Sequence, residues 1–468
     1  MDELPLTQDV TVLDILGKRA ADIRYADIDP RGLHLVQVAM VDTLGVALAG
    51  AGFEGVRIAR SAGVETKSQG SLILGTQDRT GTLDAGLLNG IAAHALDYDD
   101  GNSIMAGHPS ALLVPAILAL GEELGSSAQD AIVGYAAGYE VIIRLSRGLN
   151  PTHYEKGWHP TSTIGVFGVA ASAARMMRLS AEQTTVALAI AASLASGLKA
   201  NFGSMTKALH AGHAVRNGLL CAKLSAGGYS ASRGALDAQQ GFLNVYNGDG
   251  YYDAKRIIDR LEADLEINRN ANPIKAFPCC ASTHSAIKAT LDIRREHGAR
   301  AEDVETIQVI VDRNRMPHTD RPHLDEALSG KFSLQYVVAR ALKDGGVGLE
   351  HFEGNAHRDQ TIVDLMRRVR VTAAPPSGVP NSFAADVTVG VRNGETYHTH
   401  ADRTRNGKTA EPEGLWEKFS NCAGRVLTPS SLEALIAALK AFPEFGDVRT
   451  LMRLTAVAPA RRLATVDV

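Results

Sequence analysis

Between Ala111 and Ser225 the chain runs through five apolar segments at helical spacing: Ala111 to Leu124, Ala128 to Leu149, Ser162 to Met177, Ala181 to Leu198 and Lys207 to Ser225. No other feature restricts the fold so strongly. Several of these segments start beside Ser, Thr or Asp, whose side chains accept the first free helix N–H groups, and end near Gly. Ala and Gly dominate this half of the chain, so its helices can pack closely face to face. Val10 to Arg24, Arg31 to Gly50 and Ala85 to Ala93 extend the pattern towards the N-terminus; in the second, Leu33, Val36, Met40, Val41, Leu44 and Leu48 share one face. Gly55 to Gly75 is less regular, with Ser71 to Leu74 a short extended piece before a turn at Thr80 to Asp84. No fixed-period repeat marks a solenoid.

The texture changes between residues 266 and 280. After Ala299 come β-type runs at Thr306 to Val311, Arg368 to Val371 and Ala385 to Val391, the last continued across Asn393-Gly394 into Tyr397 to His400 as a hairpin. Helices return at Leu415 to Cys422 and Ser430 to Ala441. The expected fold is mainly α: a large all-helical domain formed by the N- and C-terminal parts (1–269 and 406–468), with an inserted α+β lid domain at 270–405. A length of 468 residues agrees with two or three units, at about 150 residues per domain.

A net charge of −4 supplies no general attraction to nucleic acid or to an anionic membrane. Four cysteines, two of them adjacent (Cys279, Cys280), make neither a disulfide framework nor a zinc spacing, and fit a reducing compartment. The N-terminus has no basic and apolar leader pattern, and no apolar run approaches the roughly 18 residues of a membrane span. A cytoplasmic location is expected, with neither membrane nor nucleic acid as partner.

Chemistry concentrates in short stretches between helices. His94-Ala-Leu-Asp97-Tyr98-Asp99-Asp100-Gly101, followed by His108-Pro109-Ser110, gathers imidazoles and carboxylates where two apolar helices meet a loop, a setting that shifts pKa values. Taken alone, the carboxylates could simply cap and solvate the loop. In Gly157-Trp158-His159-Pro160, His159 stands at a helix start beside an aromatic, which keeps an imidazole neutral. In Gly203-Ser204-Met-Thr-Lys207-Ala-Leu-His210-Ala-Gly-His213, a lysine opens a helix against its dipole, an arrangement that a bound carboxylate would explain. The two histidines three residues apart lack a third ligand of recognisable spacing, so no metal is expected. Lys275-Ala-Phe-Pro-Cys279-Cys280 marks the junction of the two units, and Lys331-Phe-Ser333-Leu-Gln335-Tyr336 opens a helix of the insert. P-loop, Rossmann, nucleophile-elbow and H-E-x-x-H motifs are absent from the sequence.

These five motifs, in this order and spread from about Leu13 to Leu439, resemble the MmgE/PrpD family, which includes 2-methylcitrate dehydratase, cis-aconitate decarboxylase and iminodisuccinate epimerase. The resemblance implies a homodimer and catalysis without metal or organic cofactor. It carries catalytic roles to Asp97, His108, His159, Lys207 and Tyr336, and substrate contacts to Lys275, Lys207, Gly101 and Ser204. Gly101 departs from the threonine of decarboxylase-like members, and the loop to His108 is a residue longer, which bears on substrate identity.

Removing a proton next to a carboxylate builds charge that cations must meet, here Lys207 and Lys275. His108 or His159 would take the proton, the other imidazole or Tyr336 would protonate a leaving hydroxyl, and Asp97 would orient a histidine. The expected function is a dehydratase-like lyase acting on a small di- or tricarboxylate such as a 2-methylcitrate-like acid. An epimerase of the iminodisuccinate kind, a decarboxylase of the cis-aconitate kind and a non-catalytic ligand-binding member are the alternatives. The sequence names neither the substrate nor which bond breaks.

Overall fold

The computed structural model describes residues 10–261, 264–270, 272–375, 383–402, 414–442, 444 and 446–457. The fold is mainly α, as the helical spacing predicts. Its longer elements are α1 (Val12–Asp22), α2 (Pro30–Gly50), α3 (Glu54–Ser61), α4 (Thr82–Ala95), α5 (Ser110–Leu124), α6 (Ala128–Leu149), α7 (Gly165–Met176), α8 (Ala181–Leu194) and α9 (Met205–Ala226). Ser127 and Ser180 accept backbone N–H groups at the starts of α6 and α8, with Asp130 and Gln183 returning the bond. Two segments differ from the sequence reading. α3 is a regular helix inside the stretch read as irregular, and the expected Ser162 helix breaks into a short turn at Pro160–Thr163 followed by α7.

The long helices cross where side chains vanish. A Cβ on Gly90 of α4 would lie 2.8 Å from the Gly212 Cα of α9, and one on Gly212 would lie 2.3 Å from the Leu87 carbonyl oxygen. This close crossing lays the C-terminal end of α4, with His94, beside the first turns of α9, with Lys207 and His210.

One apolar core joins residues from Val12 to Ile267 with Leu415, Phe419, Leu435 and Met452 from the C-terminal helices α13 (Leu415–Ala423), α14 (Pro429–Lys440) and α15 (Val448–Arg453). A separate core, from Cys279 to Val391, belongs to the insert. There α10 (His284–His297), α11 (Leu334–Asp344) and α12 (Gln360–Met366) accompany a four-stranded sheet of order β4-β3-β5-β6. Its strands are β3 (Val304–Val311), β4 (Val369–Ala373), β5 (Ala385–Val391) and β6 (Thr396–Ala401), β1 and β2 being the two-residue pair Ser71–Leu72 and Arg79–Thr80. β3 runs parallel to β4 and antiparallel to β5, and β5 returns antiparallel as β6 through Asn393-Gly394, where Gly394 has φ +88.

The expectation about membrane-length segments needs correction. α2 is long and apolar enough to cross a membrane, with a mean hydropathy of 1.5 over its most apolar window. Since 83% of that window is buried inside the protein, its apolarity is that of a core helix.

Candidate active site

At the end of α4 the chain turns sharply. Asp97 takes a left-handed conformation, φ +49, which an L-residue adopts at a cost of about 1 kcal/mol or more unless its surroundings hold it. They do so through three successive carbonyl groups. The Leu96 oxygen accepts from Lys331 Nζ at 2.8 Å, that of Asp97 from Lys275 Nζ at 2.8 Å, and that of Tyr98 from Lys418 Nζ at 2.7 Å. Lys331 comes from the insert, Lys275 from the junction and Lys418 from α13. Lys331 also donates to the Pro278 oxygen at 2.8 Å and Lys418 to the Lys275 oxygen at 3.1 Å, and Lys418 Nζ forms an ion pair with the buried Asp42 carboxylate at 2.6 Å. Loop, junction, insert and C-terminal return are therefore tied at one point.

The turn separates the roles of the acidic residues. The Asp97 carboxylate meets Lys207 Nζ and, at 3.0 Å, Lys275 Nζ. Burial by itself would raise this carboxyl, but the two ammonium groups outweigh it and hold it far below the usual range. The same burial would lower Lys275, which Asp97 and Asp99 hold above its usual value. Asp99 faces the opposite way, its Oδ2 lying 2.8 Å from His94 Nδ1 and 3.2 Å from His108 Nδ1. The expected orienting role of Asp97 is thus corrected: Asp99 is the carboxylate against the imidazoles, because the left-handed turn aims Asp97 at α9. Asp99 too is held low, burial being outweighed by His108 and His94. Asp100 points away from all of these, onto the Ser110 hydroxyl, and burial pushes it up to about 7.

Four imidazoles gather beside the two lysines. The His94 ring lies 4.8 Å from that of His108 and 5.6 Å from that of His159, and His159 Nδ1 is 3.1 Å from His210 Nδ1. Burial, then the Lys207 charge, pushes His94 and His210 down to about 4; burial, then His94 and Lys207, holds His159 well below its usual range. These three rings are neutral bases at neutral pH. With Nδ1 on Asp99, His94 presents a buried Nε2 that has no hydrogen-bond partner among the described residues. A narrow hollow there is lined by His94, Asp97, Ser204, Lys207, Lys331 and Phe332.

Of the residues named from sequence, Asp97, His108, His159, Lys207 and Lys275 converge here and Ser204 borders the hollow. Two do not join them. Tyr336 is packed in the insert core, its hydroxyl donating to the His351 carbonyl and accepting from Arg340 Nε at 3.2 Å. The expectation that it faces the cleft is corrected, since the first turn of α11 points it inward. Gly101 does not border the hollow; its N–H meets the Pro273 oxygen at 3.1 Å, and a Cβ there would enter open space. The sequence reading left out His94, Asp99, His210, Lys331 and Lys418. His94 and Asp99 stood inside the quoted motif, but three nearby carboxylates cannot be told apart by spacing alone.

Among the described residues, His94, Asp99 and His108 are the group whose donor atoms, all within 4.8 Å of one another, could share a metal ion. His94 Nδ1 bonds to Asp99 Oδ2, while His108 Nδ1 also meets the Asp100 carbonyl oxygen at 2.5 Å and Asp99 Oδ1 has no hydrogen-bond partner among the described residues. His210 and His213 part company: His210 faces His159, while His213 Nε2 meets Asn217 Nδ2 at 2.9 Å. Cys279 is no ready nucleophile, since burial pushes its thiol up to about 12.

Imidazoles whose pKa burial lowers thus meet buried lysines at the seam between the helical body and the inserted α+β unit, beside the hollow that His94 and Lys207 line. The chain belongs to the MmgE/PrpD family: residues 14–254 match the MmgE/PrpD N-terminal domain and residues 277–442 the MmgE/PrpD C-terminal domain. Its relatives include the cis-aconitate decarboxylase of Homo sapiens, 30% identical over 448 residues that cover 92% of each chain. That of Mus musculus is 27% identical, covering 89% of this chain and 87% of its own, and that of Aspergillus terreus (strain NIH 2624 / FGSC A1156) is 24% identical, covering 82% and 83%.

Proposed function

We propose that this protein is a cofactor-independent lyase acting on a small di- or tricarboxylate, and that its reaction is decarboxylation of an unsaturated tricarboxylate of the cis-aconitate kind. The observation that carries the reading is the cluster at the end of α4, where His159 and the His94-Asp99-His108 group stand beside the Lys207-Asp97-Lys275 group, next to a hollow that His94, Asp97 and Lys207 line. When a carboxylate leaves as CO2 from the carbon next to a C=C bond, its bonding electrons form a new C=C bond. The old π pair then moves to the far alkene carbon, which itself carries a carboxylate. That carbanion is an enediolate in its other resonance form, and ammonium groups in a buried site stabilise it far better than water does. A proton delivered from an imidazole to that carbon completes the reaction.

The relatives' activity, that of cis-aconitate decarboxylases, supports decarboxylation over the dehydration expected from sequence, and so does the placing of Tyr336. Dehydration needs an acid aimed at a leaving hydroxyl, and one of the two groups expected to supply it is engaged inside the insert. Incubation with cis-aconitate in deuterated water, followed by NMR, tests the reading. It expects CO2 and an alkene product carrying one solvent deuterium. An alkene from 2-methylcitrate without CO2 would support the dehydratase, and exchange without net change the epimerase. Turnover should survive dialysis against a chelator. A loss restored by a divalent cation would instead assign His94, Asp99 and His108 to a metal.

A further inference from the structure

The Phe332-Ser333-Leu334-Gln335-Tyr336 motif has a task that its tyrosine does not explain. Ser333 Oγ donates to the Arg321 carbonyl at 2.6 Å, and Gln335 Oε1 accepts from the Arg321 N–H at 3.1 Å. Gln335 Nε2 donates onward to Asp320 Oδ1 at 2.6 Å. Both polar side chains are buried, and between them they hold the N–H and the carbonyl of Arg321.

With its backbone held in this way, Arg321 lays its guanidinium against Gly203 and Phe332, two residues that line the hollow. Its Nη2 donates to the Phe202 carbonyl at 3.3 Å, and its Cζ lies 5.5 Å from the Phe332 ring centroid. A Cβ on Gly203 would come within 2.5 Å of Nη1, so Gly203, at φ +93, leaves room for the fork. Phe332 and Gly203 both line the hollow that holds Lys207 and the unpartnered His94 Nε2. Among the described residues, Arg321 meets a carbonyl and a ring but no carboxylate.

Further positive charge stands nearby. The half-buried His318 imidazole, whose Nε2 is 3.3 Å from the Ser282 hydroxyl, is pushed down to about 3 by burial and then by the Arg315, Lys199 and Arg321 cations.

We infer that Arg321 is a specificity residue that grips a second carboxylate of the substrate, the one remote from the reacting bonds, while Lys207 and Lys275 hold the first. The inference rests on the proposed reading of the site as one for di- or tricarboxylates. A planar guanidinium with parallel N–H groups matches a carboxylate in a way that a lysine ammonium does not. The insert thereby supplies the residue that separates polycarboxylates from monocarboxylates.

Calorimetric binding of tricarballylate, a saturated tricarboxylate, tests this without depending on turnover. R321A should weaken binding about tenfold to hundredfold, the usual worth of a charge-assisted bond to an ion. R321K should recover only part, and millimolar methylguanidinium added to R321A should restore most of it, which a merely structural arginine would not show. Wherever cis-aconitate is turned over, R321A should raise KM by a similar factor and change kcat much less. Binding by R321A within twofold of the parent, a loss that methylguanidinium leaves unchanged, or a fall in kcat at constant KM would overturn the assignment. If the parent binds tricarballylate and R321A does not, while cis-aconitate is never turned over, the assignment stands and the decarboxylase reading falls. A parent that binds no tricarballylate overturns both.

Discussion

At Asp97 the backbone turns left-handed, so two carboxylates only two residues apart face different partners: Asp97 the lysines, Asp99 the imidazoles. D99N removes the negative charge that faces His94 Nδ1 and His108 Nδ1, and should lower kcat by about a hundredfold or more, in line with the usual worth of positioned acid–base groups; unchanged steady-state rates would contradict it. The pH dependence of stability follows from the imidazoles. His94 and His210 drop from 6.5 to about 4, and His159 drops as well. Between pH 6.5 and 4 the unfolded chain therefore binds protons that the folded chain refuses, so stability is full above 6.5 and is lost as pH falls. Asp100, raised to about 7, works in the opposite sense, its contribution declining as pH rises from about 4 to 7. Three rings outweigh one carboxyl, so Tm should fall from pH 7 to pH 5, and H210N should flatten that fall. A Tm that is level or higher at pH 5 would contradict this. His108, His159, Lys207 and Lys275 were legible because each sits in a motif between helices. The division of labour between Asp97 and Asp99 was not, because it depends on one backbone torsion.

Among the elements, α4 and α9 matter most, since their crossing at Gly90 and Gly212 brings His94 next to Lys207. G212A would push a methyl group into the Leu87 carbonyl and the Ile91 side chain. It should cost about 1–3 kcal/mol in denaturant unfolding and also reduce activity, as overpacking at a tight contact does; a neutral result would show that the helices can part freely. α13 acts through Lys418. K418M strands the buried Asp42 and should cost about 3–5 kcal/mol, with D42N added to it restoring part of the loss. Failure of D42N to restore anything would contradict the pairing. Helix positions and the Asn393-Gly394 hairpin could be read from periodicity and turn chemistry. The contacts of Lys331 and Lys418 could not, because they reach backbone carbonyls and, for Lys418, the Asp42 carboxylate, all far away in sequence, which leave no local pattern.

The molecule as a whole brings three parts of the chain to one seam: the helical body, the insert with its own core, and the C-terminal return that rejoins the body. The change of texture near residue 270 falls where one apolar core gives way to another, at Ile267 and Cys279, since alternating strands and amphipathic helices bury different faces. The homodimer implied by the family resemblance is carried forward as a proposal; light scattering should give about twice the 49.6 kDa chain mass, and a monomer at working concentration would oppose it. Every functional step rests on imidazoles kept uncharged in a crevice beside buried lysines. Histidine-selective 15N NMR between pH 7 and 5, with resonances assigned through H94N and H159N, tests that directly. Both rings should keep the shifts of neutral imidazole across the range, and a protonation midpoint near 6.5 for either would contradict the account.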